Sequence, residues 1–212
     1  MKLLVTAGPT REPVDPIRFL SNRSTGKMGF AVADRGAARG HEVNLIAGPV
    51  SLLTPENVHR RDVETAEEML CAVEECVSWC DVLIMTAAVC DWRPARVRPN
   101  KIKKRDAVSE ISLERTKDIL LEILPLKGDR VYVGFAAETE HLEQEAKRKL
   151  RDKGLDLIVA NDATQPDAAF EADTNRVTLY SAEGVVEQLP LMPKRDVAAH
   201  LIRKVEQLLC ST

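Results

Sequence analysis

Residues 21–30, Ser21-Asn22-Arg23-Ser24-Thr25-Gly26-Lys27-Met28-Gly29-Phe30, place hydroxyls, an amide and two glycines directly ahead of an apolar run. Such a stretch opens a helix, whose first N–H groups lack intrahelical partners and carry partial positive charge. A phosphate or carboxylate is the ligand this geometry suits, although an ordinary strand-to-helix loop reads the same way. Ser24 or Thr25 is the expected N-cap. A second group of candidates is cationic. Lys101, Lys103, Lys104 and Arg105 crowd a stretch without clear period, where a solvated charge run is the plain alternative. In residues 140–153, Leu142, Ala146 and Leu150 set a buried helical stripe, and Lys149 and Lys153 fall within ~20° of Leu142 on the wheel. Charges on an apolar side must snorkel or meet a partner. Cations gathered around an anion-binding helix start suggest a polyphosphate ligand.

The elements that must position these groups alternate along the chain. Strand candidates cover residues 2–7, 42–47, 58–63, 81–86, 131–136 and 155–160. Helical spacing covers residues 27–39, 65–79, 117–124 and 140–153, and the last helix follows Pro193, placed at its first position. Residues 176–181 and 185–189 read as a C-terminal β-hairpin. Residues 91–107 read as a long loop, the length of an active-site flap. The alternation predicts one domain over residues 1–212, a three-layer Rossmann-like α/β fold with a mostly parallel sheet. Ligands in such sheets bind beyond the carboxyl ends of the strands. Those ends are small or polar: Thr6-Ala7-Gly8, Thr86-Ala87-Ala88, Phe135-Ala136-Ala137-Glu138 and Asn161-Asp162.

Composition removes several classes of function. A net charge of −3 gives no broad basic surface for nucleic acid. No apolar run reaches membrane-spanning length, so the expected location is the cytoplasm. The five cysteines contain no CxxC pair, and Cys71 falls ~180° from Cys80 on a helix, so reduced buried thiols are expected rather than a metal site. The histidines are scattered. The leading GxG of a dinucleotide fingerprint is missing, and the second strand ends in Ala47-Gly48 without an acidic residue for a ribose. A P-loop fails because Met28 follows Gly26-Lys27. An NAD(P)-dependent oxidoreductase and a non-catalytic nucleotide-binding module nonetheless stay open as alternatives.

Six blocks taken together carry more. Gly8-Pro9-Thr10-Arg11-Glu12-Pro13, residues 21–29, Ala87-Ala88-Val89-Cys90-Asp91, Lys101-Ile102-Lys103-Lys104, Gly134-Phe135-Ala136-Ala137-Glu138-Thr139 and Ala160-Asn161-Asp162 resemble, in order, those of phosphopantothenoylcysteine synthetase. The length resembles a free-standing synthetase without the fused decarboxylase. The resemblance implies a ligase of coenzyme A biosynthesis that joins 4′-phosphopantothenate to L-cysteine. It uses CTP in most bacteria, or ATP in the eukaryotic branch, with Mg²⁺, and passes through an acyl-nucleotidyl intermediate.

It further implies residue roles. Lys101 matches a flap lysine on the triphosphate. Ala87, Asp91, Phe135, Lys149 and Lys153 match nucleotide positions, as do Asp118 and Ile119, although Lys117 replaces a proline of the family pattern. Asn22 matches the asparagine holding the reacting carboxyl end. Gly8, Ser24, Gly26, Gly29, Phe30 and Ala88 match positions around phosphopantothenate. Arg18 matches an arginine that reaches a neighbouring subunit, which implies a homodimer, and a separate decarboxylase would act on the product. No matched motif names a metal ligand.

Overall fold

The computed structural model describes residues 1–104, 110–138, 142–162 and 171–211. Glu140, the expected start of the fourth long helix, and Arg105 of the cationic run lie outside them. Six strands are parallel neighbours: β1 (Lys2–Ala7), β4 (Glu42–Ala47), β5 (Val58–Asp62), β6 (Val82–Met85), β9 (Val131–Glu138) and β10 (Leu157–Asp162). The hairpin β11 (Thr174–Ser181) and β12 (Gly184–Pro193) continues the sheet antiparallel beyond β10. The spatial order is β12-β11-β10-β9-β6-β1-β4-β5. The chain therefore leaves β1 in one direction and later returns on its other side, which makes the β1/β6 junction the switch point where such sheets open a crevice.

Strand side chains alternate between faces, and the alternation sorts the core into two. Leu3, Val5, Val43, Leu45, Val82 and Ile84 face α1 (Lys27–Ala38) and α5 (Lys194–Ser211). Leu4, Ile46, Leu83, Tyr132 and Ile158 face α2 (Ala66–Val77), α3 (Ile119–Ile123) and α4 (Leu142–Asp152). Each fully buried leucine or isoleucine contributes roughly 1.5–3 kcal/mol, so both faces hold the helices firmly. The three-layer α/β expectation thus describes the molecule.

Local differences from the sequence reading have physical causes. Gly26, rather than Ser24 or Thr25, is the N-cap of α1, at φ +77°. Its backbone lies against Gly8, where a Cβ would come within 3.4 Å of Gly8 Cα. A hydroxyl residue would also pay for the left-handed conformation. Pro193 pairs with Thr174 as the last residue of β12, and α5 starts one residue later, with Lys194 N donating to Asp173 O at 2.9 Å. Two short hairpins escaped the sequence: β2 (Arg11–Pro13) with β3 (Phe19–Ser21), and β7 (Trp92–Pro94) with β8 (Leu113–Arg115). Part of the expected long loop is therefore strand. Cys80 and Cys90 are buried as expected, whereas Cys71 and Cys210 are exposed. Burial pushes the Cys80 thiol up to about 12.

Candidate functional site

Past the strand ends the chain keeps pairing. Ala88 N donates to Gly8 O at 2.9 Å, and Thr10 N donates to Ala88 O at 3.3 Å. This carries residues 8–10 and 86–90 side by side over the switch point. Two hollows open there and share Ala87, Ala88, Phe135 and Ala137.

The smaller hollow, about 140 Å³, lies at the start of α1, against Ser24, Thr25, Gly26, Lys27, Met28 and Gly29. No side chain caps the first N–H groups of that helix, where it borders the hollow. Gly29 lets the helix sit hard on the sheet: a Cβ there would stand 2.3 Å from Thr86 Oγ1 and 2.5 Å from Ala7 Cβ. Two lysines join from either side. Lys27 Nζ donates to Asp173 Oδ1 at 2.6 Å and to Glu171 O at 2.9 Å. Lys194 is buried and donates to Ala172 O at 2.5 Å. Burial, together with the Lys27 charge, lowers the Lys194 ammonium to about 8. The Lys27 hydrogen bond holds the Asp173 carboxyl below its usual range. Lys27, Lys194, Thr86 and Asn175 were not among the sequence candidates. Lys27 carried a signal, being a cation inside the glycine-rich helix start. Lys194 and Asn175 carried none, because only the β10–β11–β12 pairing folds them back onto α1.

The larger hollow, about 590 Å³, is built from side chains. Asn22, Asp91, Asp118, Ile119, Lys149 and Lys153 line it, as do Lys117, noted in the sequence only for replacing a proline, and Arg115 and Thr116, which were not singled out there. Asp118 caps α3, its Oδ1 accepting from Leu120 N at 3.1 Å and Leu121 N at 3.4 Å. Its Oδ2 lies 2.8 Å from Lys153 Nζ. Of the two outcomes open to Lys153 on the helical wheel, snorkelling or a partner, the structure has the partner, a carboxylate of the same hollow. Lys149 stands one turn earlier and is half-buried. Asn22 lines the larger hollow close to the shared wall, with Nδ2 donating to Ala88 O at 2.8 Å.

Four sequence candidates line neither hollow. Gly8 packs behind Gly26 at φ +80°. Phe30 is buried under α1, with the Arg60 guanidinium 5.2 Å over its ring. Arg18 donates to Ile102 O at 2.6 Å, and Lys101 is exposed beside it. Among the described residues, no three carboxylate, thiol or imidazole groups converge to hold a metal.

Known proteins resemble this chain over nearly its whole length. Residues 1–209 match the model of the DNA/pantothenate metabolism flavoprotein C-terminal domain. The chain is 44% identical over 207 residues to the coenzyme A biosynthesis bifunctional protein CoaBC of Bacillus subtilis (strain 168), covering 97% of this chain and 51% of that protein. With CoaBC of Escherichia coli (strain K12) it shares 45% over 209 residues, again 97% against 51%. The chain spans about half the length of the curated relatives it matches. The crystal structure of the C-terminal domain of CoaBC superposes with a TM-score of 0.86 at 41% identity, covering 100% of this chain and 96% of that one. The chain belongs to the family of the DNA/pantothenate metabolism flavoprotein C-terminal domain.

Proposed function

We propose that this chain is a phosphopantothenate–cysteine ligase of coenzyme A biosynthesis. The observation that carries the reading is the pair of hollows sharing one wall, with Asn22 beside it. An amide ligase that activates a carboxylate needs two anionic substrates brought end to end. The smaller hollow suits the phosphate of phosphopantothenate, through the uncapped N–H groups of α1 and the charges of Lys27 and Lys194. The extended pantothenate arm then runs past Ala87 and Ala88 to Asn22. The larger hollow suits the nucleoside triphosphate, with Lys149 and Lys153 toward phosphates and Asp118–Ile119 toward the base.

In the first step a carboxylate oxygen of phosphopantothenate attacks the α-phosphorus and pyrophosphate leaves. The protein's share is charge: lysines placed where negative charge builds on the transferring group. In the second step the cysteine amine attacks the acyl carbon and the nucleoside monophosphate departs with the bridging oxygen. Asn22, already ordered by Ala88 O, holds the acyl group through both steps. Mg²⁺ fits as an ion carried in by the phosphates, since of the two carboxylates lining the larger hollow Asp118 is engaged by Lys153 and by the start of α3, which leaves Asp91 to meet it. When bound, it neutralises phosphate charge.

CTP and ATP remain two arms of one test, because base choice rests on a few backbone hydrogen bonds. The working form is proposed to be a cytoplasmic homodimer, with the decarboxylation of its product carried out by a separate catalytic domain. Incubation with phosphopantothenate, cysteine, Mg²⁺ and CTP or ATP tests the reading. Pyrophosphate release that requires phosphopantothenate is expected. No release with either nucleotide contradicts the proposal and returns the chain to a nucleotide-binding module.

A further inference from the structure

Between β2 and β3 the chain turns through residues 14–18, and Asp15 in that turn uses both carboxylate oxygens. Oδ1 accepts from Ile17 N at 2.8 Å and Arg18 N at 2.9 Å, which closes the turn. Oδ2 accepts from Ile102 N at 3.1 Å, 87 residues further along the chain. Arg18 completes the grip: its Nη2 donates to Ile102 O at 2.6 Å, and its Nε lies 3.7 Å from Asp15 Oδ2. A second tie runs alongside, from Arg98 N to Val14 O at 2.9 Å. Both backbone groups of Ile102 are therefore bound by one turn.

The Asp15 side chain has 0% exposure. A carboxylate taken fully out of water is stable when its lone pairs are satisfied. Here the Ile102 N–H is the largest of the contacts that hold the Asp15 carboxyl below its usual range. The turn itself needs one oxygen; the other is directed at the segment carrying Lys101. The Lys101 side chain is exposed, so the backbone on either side of it governs where it stands.

We propose that Asp15, together with Arg18, is a positioning residue that fixes the backbone at Ile102 and thereby sets where the Lys101 ammonium stands relative to the nucleotide. This rests on the reading of Lys101 as the triphosphate lysine of the proposed ligase. It also gives Arg18 a task within its own chain, where the family resemblance implies one across a dimer.

Asp15→Asn separates the two oxygens' roles. An asparagine oxygen can still close the turn, but its NH₂ would face the Ile102 N–H, donor against donor. Amide hydrogen exchange at Ile102 is expected to speed up about tenfold or more, while β1 amides keep their protection. Pyrophosphate release is expected to fall about tenfold. Combined with Lys101→Gln, it is expected to fall no further than with Lys101→Gln alone, because one residue acts through the other. Arg18→Met leaves the turn's own hydrogen bonds in place and gives the same exchange test if Asp15→Asn fails to fold. Unchanged exchange at Ile102, or rate losses that multiply in the double variant, overturns the proposal. Wild-type protein that exchanges as expected but releases no pyrophosphate overturns the ligase reading and, with it, the role given to Lys101.

Discussion

The two hollows at the sheet edge are built on different principles. The smaller one is framed by backbone: a helix start without a side-chain cap, strand ends of small residues, and Gly29 pressed against Thr86 and Ala7. Its lysines are already engaged, Lys27 with Asp173 and Lys194 with Ala172 O. The larger one is framed by long side chains from α4, from the start of α3 and from the β7–β8 hairpin. Backbone cannot adjust without moving a strand or a helix, whereas side chains can. The contrast teaches that changes beneath the smaller hollow should act almost all-or-none, and changes around the larger one by degrees.

The largest effect is expected where the two meet. Asn22→Ala removes the amide that donates to Ala88 O and that the proposed ligase uses to hold the reacting carboxyl end. Overall turnover is expected to drop about 100-fold, the scale of losing one oriented donor at a reacting centre, with acyl-nucleotide accumulating in quenched samples. Unchanged turnover would take Asn22 out of the mechanism.

Next comes the backbone-framed side. Gly29→Ala should improve helix propensity, yet the added Cβ would meet Thr86 Oγ1 at 2.3 Å and Thr6 O at 3.0 Å. Overpacking of this kind costs about 1–3 kcal/mol, which at this chain length lowers the melting midpoint by about 2–4 °C per kcal/mol. Activity is expected to be lost together with the stability. A variant that melts normally and works normally would remove the contrast between the hollows.

On the side-chain-framed side, Lys153→Gln gives up the ion pair with Asp118 and the phosphate contact proposed for it. Asp118 still caps α3. The KM for nucleotide is expected to rise about tenfold, the scale of one charge-assisted hydrogen bond, with kcat nearly unchanged. A collapse of kcat instead would place Lys153 among the groups that act only in the transition state.

The smallest effect is one of pH. Lys194 is lowered to about 8 by burial and by Lys27. As pH rises through that value the folded protein loses the charge, so the KM for phosphopantothenate is expected to rise a few-fold between about pH 7 and pH 9. Lys194→Gln should flatten that rise, and a slope that survives the substitution assigns it elsewhere. Between about 8 and the ordinary lysine value of 10.5 the unfolded chain holds more protons than the folded one, so this group's contribution to stability grows with pH rather than falling.

Much of this was legible in the sequence because the signals were local. Apolar runs such as residues 2–7 and 131–136 marked parallel strands, and the small residues at their ends marked the sheet edge. The wheel argument for Lys153 left snorkelling or a partner open, and Asp118 is the partner. What could not be read was made by distance. The β2–β3 and β7–β8 hairpins are three residues per strand, too short to show a period. Lys194 and Asn175 reach the smaller hollow because β11 and β12 fold back along β10. The grip of Asp15 on Ile102 spans 87 residues, and no spacing rule connects them.

The central claim is that a carboxylate held at Asn22 attacks the α-phosphorus of a nucleotide held in the larger hollow. Phosphopantothenate labelled with ¹⁸O in its carboxyl group tests it most directly, with mass analysis of every phosphorus-containing product after turnover with cysteine. The account expects one ¹⁸O in the nucleoside monophosphate and none in pyrophosphate. Label in inorganic phosphate, with nucleoside diphosphate as the other product, would contradict it.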